Sequence, residues 1–290
     1  MKILVFGASG MIGHQMWYKL NKEFPGMVYG TVRQSANHYD RFKIFDSKFL
    51  IPNLDVTDFS KVLQVLEQVK PDVVLNCVGI TLRKPEIKNF ELTLEVNSLF
   101  PQRLGRWAAQ HQKRLIHFST DCVFAGSDGM YTEVSIPDAQ DVYGKTKFLG
   151  EVLGNYSLTL RCPIVGREIE GKTELIEWFL KQKNNKITGY AKAIYSGITS
   201  AEMARQIILI LRKFPNLTGL YQISSEPISK YELLKLLNQI STTGASIDKD
   251  ESYSTNKSLD SKKYRQLTGY VPPSWGAMLT EMMEEKLYNA

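Results

Sequence analysis

The sequence places this chain in the α/β class, as a doubly wound parallel sheet followed by a smaller, mixed C-terminal lobe. Three observations predict it. Short apolar runs alternate with helix-period segments from Ile3 to Leu160. A glycine-rich turn, Gly7-Ala8-Ser9-Gly10-Met11-Ile12-Gly13, separates the first run from the first helical pattern. After Pro163 that rhythm gives way to a mixed pattern. Strands alternating with helices imply a parallel sheet covered on both faces, and right-handed crossovers wind it in both directions.

Ile3-Leu4-Val5-Phe6 reads as a strand buried on both faces. A helix follows from Met11 to about Lys22. Met27 to Val32 is the second strand, and Leu54-Asp55-Val56 closes a weaker third. Val62, Leu63, Val65, Leu66 and Val69 recur at helical spacing. Asp72 to Asn76 is the fourth strand. Leu92 to Gln110 is a long helix carrying Leu99, Leu104 and Trp107, and Leu115 to Phe118 is the fifth strand. The next helix spans about Val142 to Leu153, ending near Gly154, and Leu158 to Leu160 is the sixth strand.

Beyond Pro163, helices are expected at Leu175 to Lys181, Ser200 to Arg212 and Ser229 to Ile240, the last capped by Ser229. A strand at Leu220 to Ile223 is expected to return to the main sheet. Residues 241–258 read as polar and irregular, and a last helix runs from about Trp275 to Tyr288. The expected units are a sheet domain over 1–165, with its returning strand near 219–223, and a smaller lobe over 166–290.

The 290 residues are 43% hydrophobic and 23% charged, which favours neither disorder nor a fibrous fold. The net charge of +6 is scattered rather than clustered. That points to an anionic small ligand and away from nucleic acid. Cys77, Cys122 and Cys162 show no C-x-x-C spacing, so they read as reduced thiols. His14, His38, His111 and His117 have no metal spacing either, and no metal is expected. No segment approaches the ~18 apolar residues of a membrane span. A cytoplasmic location without membrane contact is the expectation, and a homodimer is left open.

The turn from Gly7 to Gly13 has a specific physical reading. Gly7 permits a tight turn, Gly10 lets backbone N–H groups approach a pyrophosphate, and Gly13 allows close helix–strand packing. The helix N-terminus favours the anion. This is a Rossmann-type dinucleotide site, with Ser9, Met11 and Ile12 in the same turn. An acid about 20 residues on would bind a ribose 2′-hydroxyl. Thr31-Val32-Arg33 stands there instead, and no acid follows until Asp40. Arg33 can pair with a 2′-phosphate. NADP(H) is therefore preferred, with NAD(H) as the alternative.

Tyr143-Gly144-Lys145-Thr146-Lys147 is Y-x-x-x-K. Residues i and i+4 share a helix face, so phenol and ammonium can meet one ligand. A tyrosine with a free pKa of about 10 is a poor acid, but a neighbouring ammonium stabilises its phenolate. The pair can then give a proton to a carbonyl oxygen as hydride arrives. The spacing alone also fits an ordinary surface pair. Two features favour chemistry: the nucleotide turn upstream, and Ser119-Thr120-Asp121 just past the fifth strand, at the sheet edge where ligands bind.

The glycine turn, Ser-Thr-Asp and Y-x-x-x-K, in this order, resemble the extended short-chain dehydrogenase/reductase superfamily. STDCVFAGSDGMYTE followed by DVYGKTKFLGE is more narrowly similar to dTDP-4-dehydrorhamnose reductases and related nucleotide-sugar 4-ketoreductases. The similarity spans nearly the whole chain and is closest over 1–165. It implies reduction of a 4-keto group on a nucleotide-activated deoxysugar. Thr120 would polarise the carbonyl, Tyr143 would be the acid, and Lys147 would support both and hold the nicotinamide ribose. It also implies that Asp55-Val56 reads adenine, and that Asn76-Cys77-Val78-Gly79 lies near the cofactor. Asn97 would support the site, and Arg161-Cys162-Pro163 would border the nicotinamide. Turn or cap roles are the alternatives for Asp55, Asn76 and Asn97.

Three departures from the family pattern bear on the sugar. Cys122 stands where a Tyr is usual, the Trp common after the sixth strand is absent, and residues 189–199 differ from the usual substrate loop. Candidates for the sugar nucleotide are Ser119, Asp121, Arg83, Lys84, Trp178, Tyr190 and Lys192, with packing or solvation as the alternative for each. Cys122 in place of a Glu disfavours a 4,6-dehydratase. An epimerase remains as one alternative. A catalytically silent NADP-binding regulatory subunit is another, against which the intact Thr120, Tyr143 and Lys147 argue.

Overall fold

In the computed structural model, which describes residues 1–288, the strands in chain order are β1 (Ile3–Phe6), β2 (Val28–Thr31), β3 (Leu50–Ile51), β4 (Val73–Asn76), β5 (Arg114–Ser119) and β6 (Ser157–Arg161), then β7 (Ile164–Val165), β8 (Lys186–Tyr195), β9 (Ile198–Thr199), β10 (Gly219–Gln222), β11 (Ile228–Ser229) and β12 (Ser246–Asn256). Seven of them form one sheet in the order β10-β6-β5-β4-β1-β2-β3. Every pairing in it is parallel. The returning strand is β10, which joins the sheet beside β6.

The helices are α1 (Gly13–Glu23), α2 (Ala36–Tyr39), α3 (Phe59–Val69), α4 (Phe90–Leu94), α5 (Phe100–His111), α6 (Val142–Leu149), α7 (Leu175–Leu180), α8 (Ser200–Lys213), α9 (Lys230–Ile240), α10 (Lys262–Thr268) and α11 (Trp275–Glu284). They cover both faces of the sheet. Ile3 and Val5 join one core with Met16 of α1 and Ile207 of α8. Leu4 and Phe6 join the other with Val62 of α3 and Leu104 of α5. A strand buried on both sides must be apolar at every position, which is why β1 reads as an unbroken run. The chain winds outward both ways from β1, and the neighbours β1 and β4 mark the point where the order reverses. Ligands bind there, beyond the carboxyl ends of the strands. A second sheet, β11-β8-β12, lies in the C-terminal part, and β7 pairs with β9.

Several expectations are corrected. The third strand is Leu50–Ile51, paired to Gly30 and Thr31. Leu54 and Val56 are buried outside any strand, with a single backbone bond from the Leu54 N–H to the Val32 carbonyl at 3.1 Å, so their pattern reports core contact rather than a strand. The long helix contains a π-helical turn, Glu95–Leu99, between α4 and α5, and Leu99 is exposed. Helix α6 stops at Leu149, and Gly150 beyond it presses on another backbone, where an added Cβ would lie 1.9 Å from the Asn97 carbonyl oxygen. Residues 246–256 are a strand, parallel to β8, with a register shift between Asp250 and Ser254. Most of that strand is exposed, so it carries no apolar alternation. Helix α11 ends at Glu284, and a 3-10 turn Lys286–Tyr288 follows. Among the described residues no helix is long and apolar enough to cross a membrane, and no acidic, His or Cys cluster could hold a metal.

Candidate active site

The glycine turn is held by close approach. Gly7 has φ +76°, and a Cβ on Gly13 would sit 1.9 Å from the Gly7 carbonyl oxygen. Helix α1 therefore starts directly against the end of β1. No side chain caps it, and its first turn has no acid. Helices α3, α6, α8, α9 and α11, by contrast, are capped by Asp58, Asp141, Thr199, Ser229 and Ser274. An uncapped N-terminus above a glycine cradle fits a pyrophosphate, whose oxygens would accept from the free N–H groups.

A cleft of about 850 Å³ runs along this edge of the sheet. Arg33, Ser9, Gly10, Met11 and Ile12 line one part of it, followed by Cys77, Val78 and Gly79. Ser119, Thr120, Asp121, Tyr143, Lys147 and Cys162 line the rest, with Arg83 and Lys84 on the wall. The cleft thus gathers the dinucleotide turn and the proton-transfer candidates. Asp55, Val56, Asn97, Trp178, Tyr190 and Lys192 lie off its lining.

Thr120 follows β5 and caps the 3-10 turn Asp121–Val123. Its Oγ1 accepts from the Cys122 N–H at 3.1 Å and donates to Asp121 Oδ1 at 3.0 Å. Asp141 caps α6 by accepting from the Gly144 N–H at 2.9 Å. A Cβ on Gly144 would lie 2.1 Å from the Cys122 carbonyl oxygen, so only glycine lets α6 settle onto the Thr120 turn. This contact holds α6 against the Thr120 turn, and Tyr143 and Thr120 line the same cleft. Burial pushes the phenol's pKa up, with Cys122 and Asp121 adding to it and the Thr120 bond opposing it. Tyr143 is therefore a protonated phenol at neutral pH.

Lys147, one helical turn on, is 5% exposed, and its Nζ donates to the Phe118 carbonyl at 2.7 Å. Burial lowers its pKa to about 8, against the opposing pull of Glu151 and Cys77. Ser119 lines the cleft and donates its hydroxyl to Glu151 Oε1 at 2.7 Å. Glu151 also pairs with Arg161, and that pair ties β6 to the segment after α6.

The residues off the cleft support it. Asn97 lies in the π-helical turn, a feature often found beside functional sites. Its Oδ1 accepts from the Ile80 N–H at 2.8 Å, and its Nδ2 donates to the Ile80 carbonyl at 2.9 Å and to Thr146 Oγ1 at 3.3 Å. It thus joins the segment after β4 to helix α6. Asn76, which lines the cleft, accepts from the Val78 N–H at 3.1 Å and contacts His117 Nδ1 at 3.1 Å. Asp55 accepts from the Thr57 N–H and hydroxyl, a turn role. Trp178 packs under Arg83, whose guanidinium is 5.9 Å from the ring. Tyr190 packs on Tyr253, ring centroids 5.2 Å apart, and Lys192 pairs with Glu251.

Sequence reasoning missed the far wall. Tyr195, Lys230, Tyr253 and Lys257 line the cleft from the C-terminal part, and Lys230 and Lys257 act electrostatically on Asp121. The strand that positions Tyr253 is polar and gave no period to read. His38 and Glu170 also line the cleft, from segments far apart in the chain.

A family model described as the RmlD substrate binding domain matches residues 1–165. The chain belongs to this family. The expected resemblance to dTDP-4-dehydrorhamnose reductases is thus borne out at the family level. Curated relatives of two kinds are similar to it. Methionine adenosyltransferase 2 subunit beta of Xenopus laevis is 30% identical over 246 residues, covering 80% of this chain and 70% of that protein. The dTDP-4-dehydrorhamnose reductase of Aggregatibacter actinomycetemcomitans is 28% identical over 249 residues, covering 77% and 84%. Among solved structures, dTDP-4-dehydrorhamnose reductase of Bacillus anthracis in complex with NADP superposes with a TM-score of 0.78 at 21% identity, over 98% of this chain and 99% of that one. That last likeness is one of fold.

Proposed function

We propose that this RmlD-family protein is an NADPH-dependent reductase of a nucleotide-activated 4-keto-6-deoxy sugar, working in the cytoplasm to supply deoxysugar precursors. The observation that carries the reading is the placement of Thr120, Tyr143 and Lys147 in one cleft with the uncapped glycine turn. Residues 1–165 act as the dinucleotide domain and 166–290 as the substrate lobe. Ser9 to Ile12 hold the pyrophosphate, Cys77 to Gly79 and Cys162 border the nicotinamide, and Arg33 takes the 2′-phosphate.

The bound dinucleotide supplies a hydride to the keto carbon. The Thr120 hydroxyl turns from Asp121 to donate to the keto oxygen, while the Cys122 N–H still fixes Oγ1. The Tyr143 phenol gives its proton to that oxygen, completing the alcohol. The Lys147 ammonium lowers the cost of the phenolate left behind. Tyr195, Lys230, Tyr253 and Lys257 form the wall on which the sugar nucleotide lies.

The reading is tested with a panel of dTDP- and UDP-4-keto-6-deoxy sugars, following NADPH loss and sugar product together. One NADPH consumed per alcohol formed is expected. A second reading is a non-catalytic NADP-binding subunit, favoured by the similarity to methionine adenosyltransferase 2 subunit beta. No turnover across the panel despite tight NADPH binding would select it. Isomerised sugar without net NADPH loss would select an epimerase.

A further inference from the structure

Glu170 lies in the segment 166–174, between β7 and α7. Its carboxylate reaches across the cleft to the end of the β2 side. Oε1 pairs with His38 Nε2 and with Arg41 Nη2, the latter at 3.2 Å, and Arg41 also contacts His38 at 3.1 Å. Arg33, at the end of β2, is exposed on the same cleft wall. Ser9 of the glycine turn donates to Tyr39, next to His38, at 3.4 Å. Arg33 and His38 thus line the cleft at the β2 end, where an adenosine ribose lies in this fold, with Arg41 against His38 beside them. The carboxylate that His38 and Arg41 hold comes from 129 or more residues away.

The segment's other ties are of a different kind. Glu168 is buried and accepts from the backbone N–H groups of Thr173 and Glu174 at 2.6 and 2.7 Å, and from Lys84 at 3.0 Å. Thr81 donates to Glu174 at 2.6 Å. These bonds fix one side of the segment to the loop after β4. The Glu170 contact is half-exposed and made to side chains alone, so it is the tie that can be exchanged.

We propose that Glu170 is an internal competitor for the cofactor's 2′-phosphate. It bridges the cleft through the basic cluster until a 2′-phosphate takes its place, so NADP(H) releases the 166–174 segment and NAD(H) does not. The proposal rests on the dinucleotide reading above. A phosphate carries more charge than a carboxylate and has three acceptor oxygens, so it wins the exchange against Arg33, His38 and Arg41.

The test measures NADPH and NADH dissociation constants by calorimetry on the full chain, with amide exchange of 166–174 read alongside. Glu170→Gln keeps the shape of the side chain and removes its charge. It should tighten NADPH about three- to five-fold, the yield of releasing an exposed ion pair, and leave NADH unchanged. Arg41→Ala should weaken NADPH and leave NADH unchanged. Exchange in 166–174 should rise when NADPH, but not NADH, binds the wild type, and should already be high in Glu170→Gln. Equal shifts for both dinucleotides, or none, would overturn this proposal alone. A wild type that binds neither dinucleotide would overturn the dinucleotide reading and this proposal with it.

Discussion

Two ion pairs of similar length show how differently the two sheets are built. In the seven-stranded sheet Arg161 meets Glu151 at 2.7 Å through Nε, with exposures of 3% and 5%. In the three-stranded sheet Lys186 meets Asp248 at 2.8 Å, with exposures of 72% and 52%. The first pair sits in a desolvated frame where each charge depends on its partner. The second is screened by water and contributes little. The same contrast runs through the strands: β6 is buried at every position, whereas β12 is mostly exposed. The buried sheet carries the glycine turn and, at the same edge, the candidate proton-transfer residues. The solvated sheet supplies one wall of the cleft, where side chains can vary without costing the fold.

The contrast can be broken at four points of decreasing effect. Gly13→Ala places a Cβ 1.9 Å from the Gly7 carbonyl oxygen, which a backbone cannot evade locally. Loss of measurable dinucleotide binding is expected by calorimetry, and retained binding would show that the turn can yield. Next, Glu151→Ala strands the buried Arg161 guanidinium and should cost about 3–5 kcal/mol in urea unfolding. Lys186→Ala, tested the same way, should leave the transition where it is. Equal effects of the two would erase the distinction between the sheets.

The smaller effect is on pH dependence. Burial lowers the Lys147 pKa to about 8, so its ammonium is present below that pH and lost above it. The phenolate of Tyr143 then loses its support, and kcat/KM should fall as pH rises through about 8. Lys147→Arg keeps the charge at every accessible pH and should remove that descending limb, whatever its effect on the absolute rate. A limb that persists in the variant would assign it to another group.

The same difference decided what could be read from the residues alone. A strand buried on both faces has to be apolar throughout, so β1, β4, β5 and β6 announce themselves. The glycine spacing is equally legible, because backbone contact at Gly7 and Gly13 leaves no room for a side chain. The strand β12 was invisible, since a solvated edge needs no apolar period and its pairing with β8 is made across about sixty positions of chain. The third strand was misplaced because burial of Leu54 and Val56 mimics pairing. Asn97 was legible as a residue, but neither its π-helical turn nor its bonds to Ile80 and Thr146 left a mark in the spacing. The Glu170 bridge to His38 and Arg41 left no local trace at all, because neither segment needs the other to form.

On the proposed function, Tyr143 delivers a proton in a carbonyl reduction and does not merely fill the cleft. The most direct measurement is NADPH oxidation with a turned-over 4-keto sugar nucleotide, wild type against Tyr143→Phe, with the NADPH dissociation constant measured on both. A loss of about 10²–10⁴ in kcat is expected, with NADPH affinity within a factor of about two. Undiminished turnover by Tyr143→Phe would contradict it.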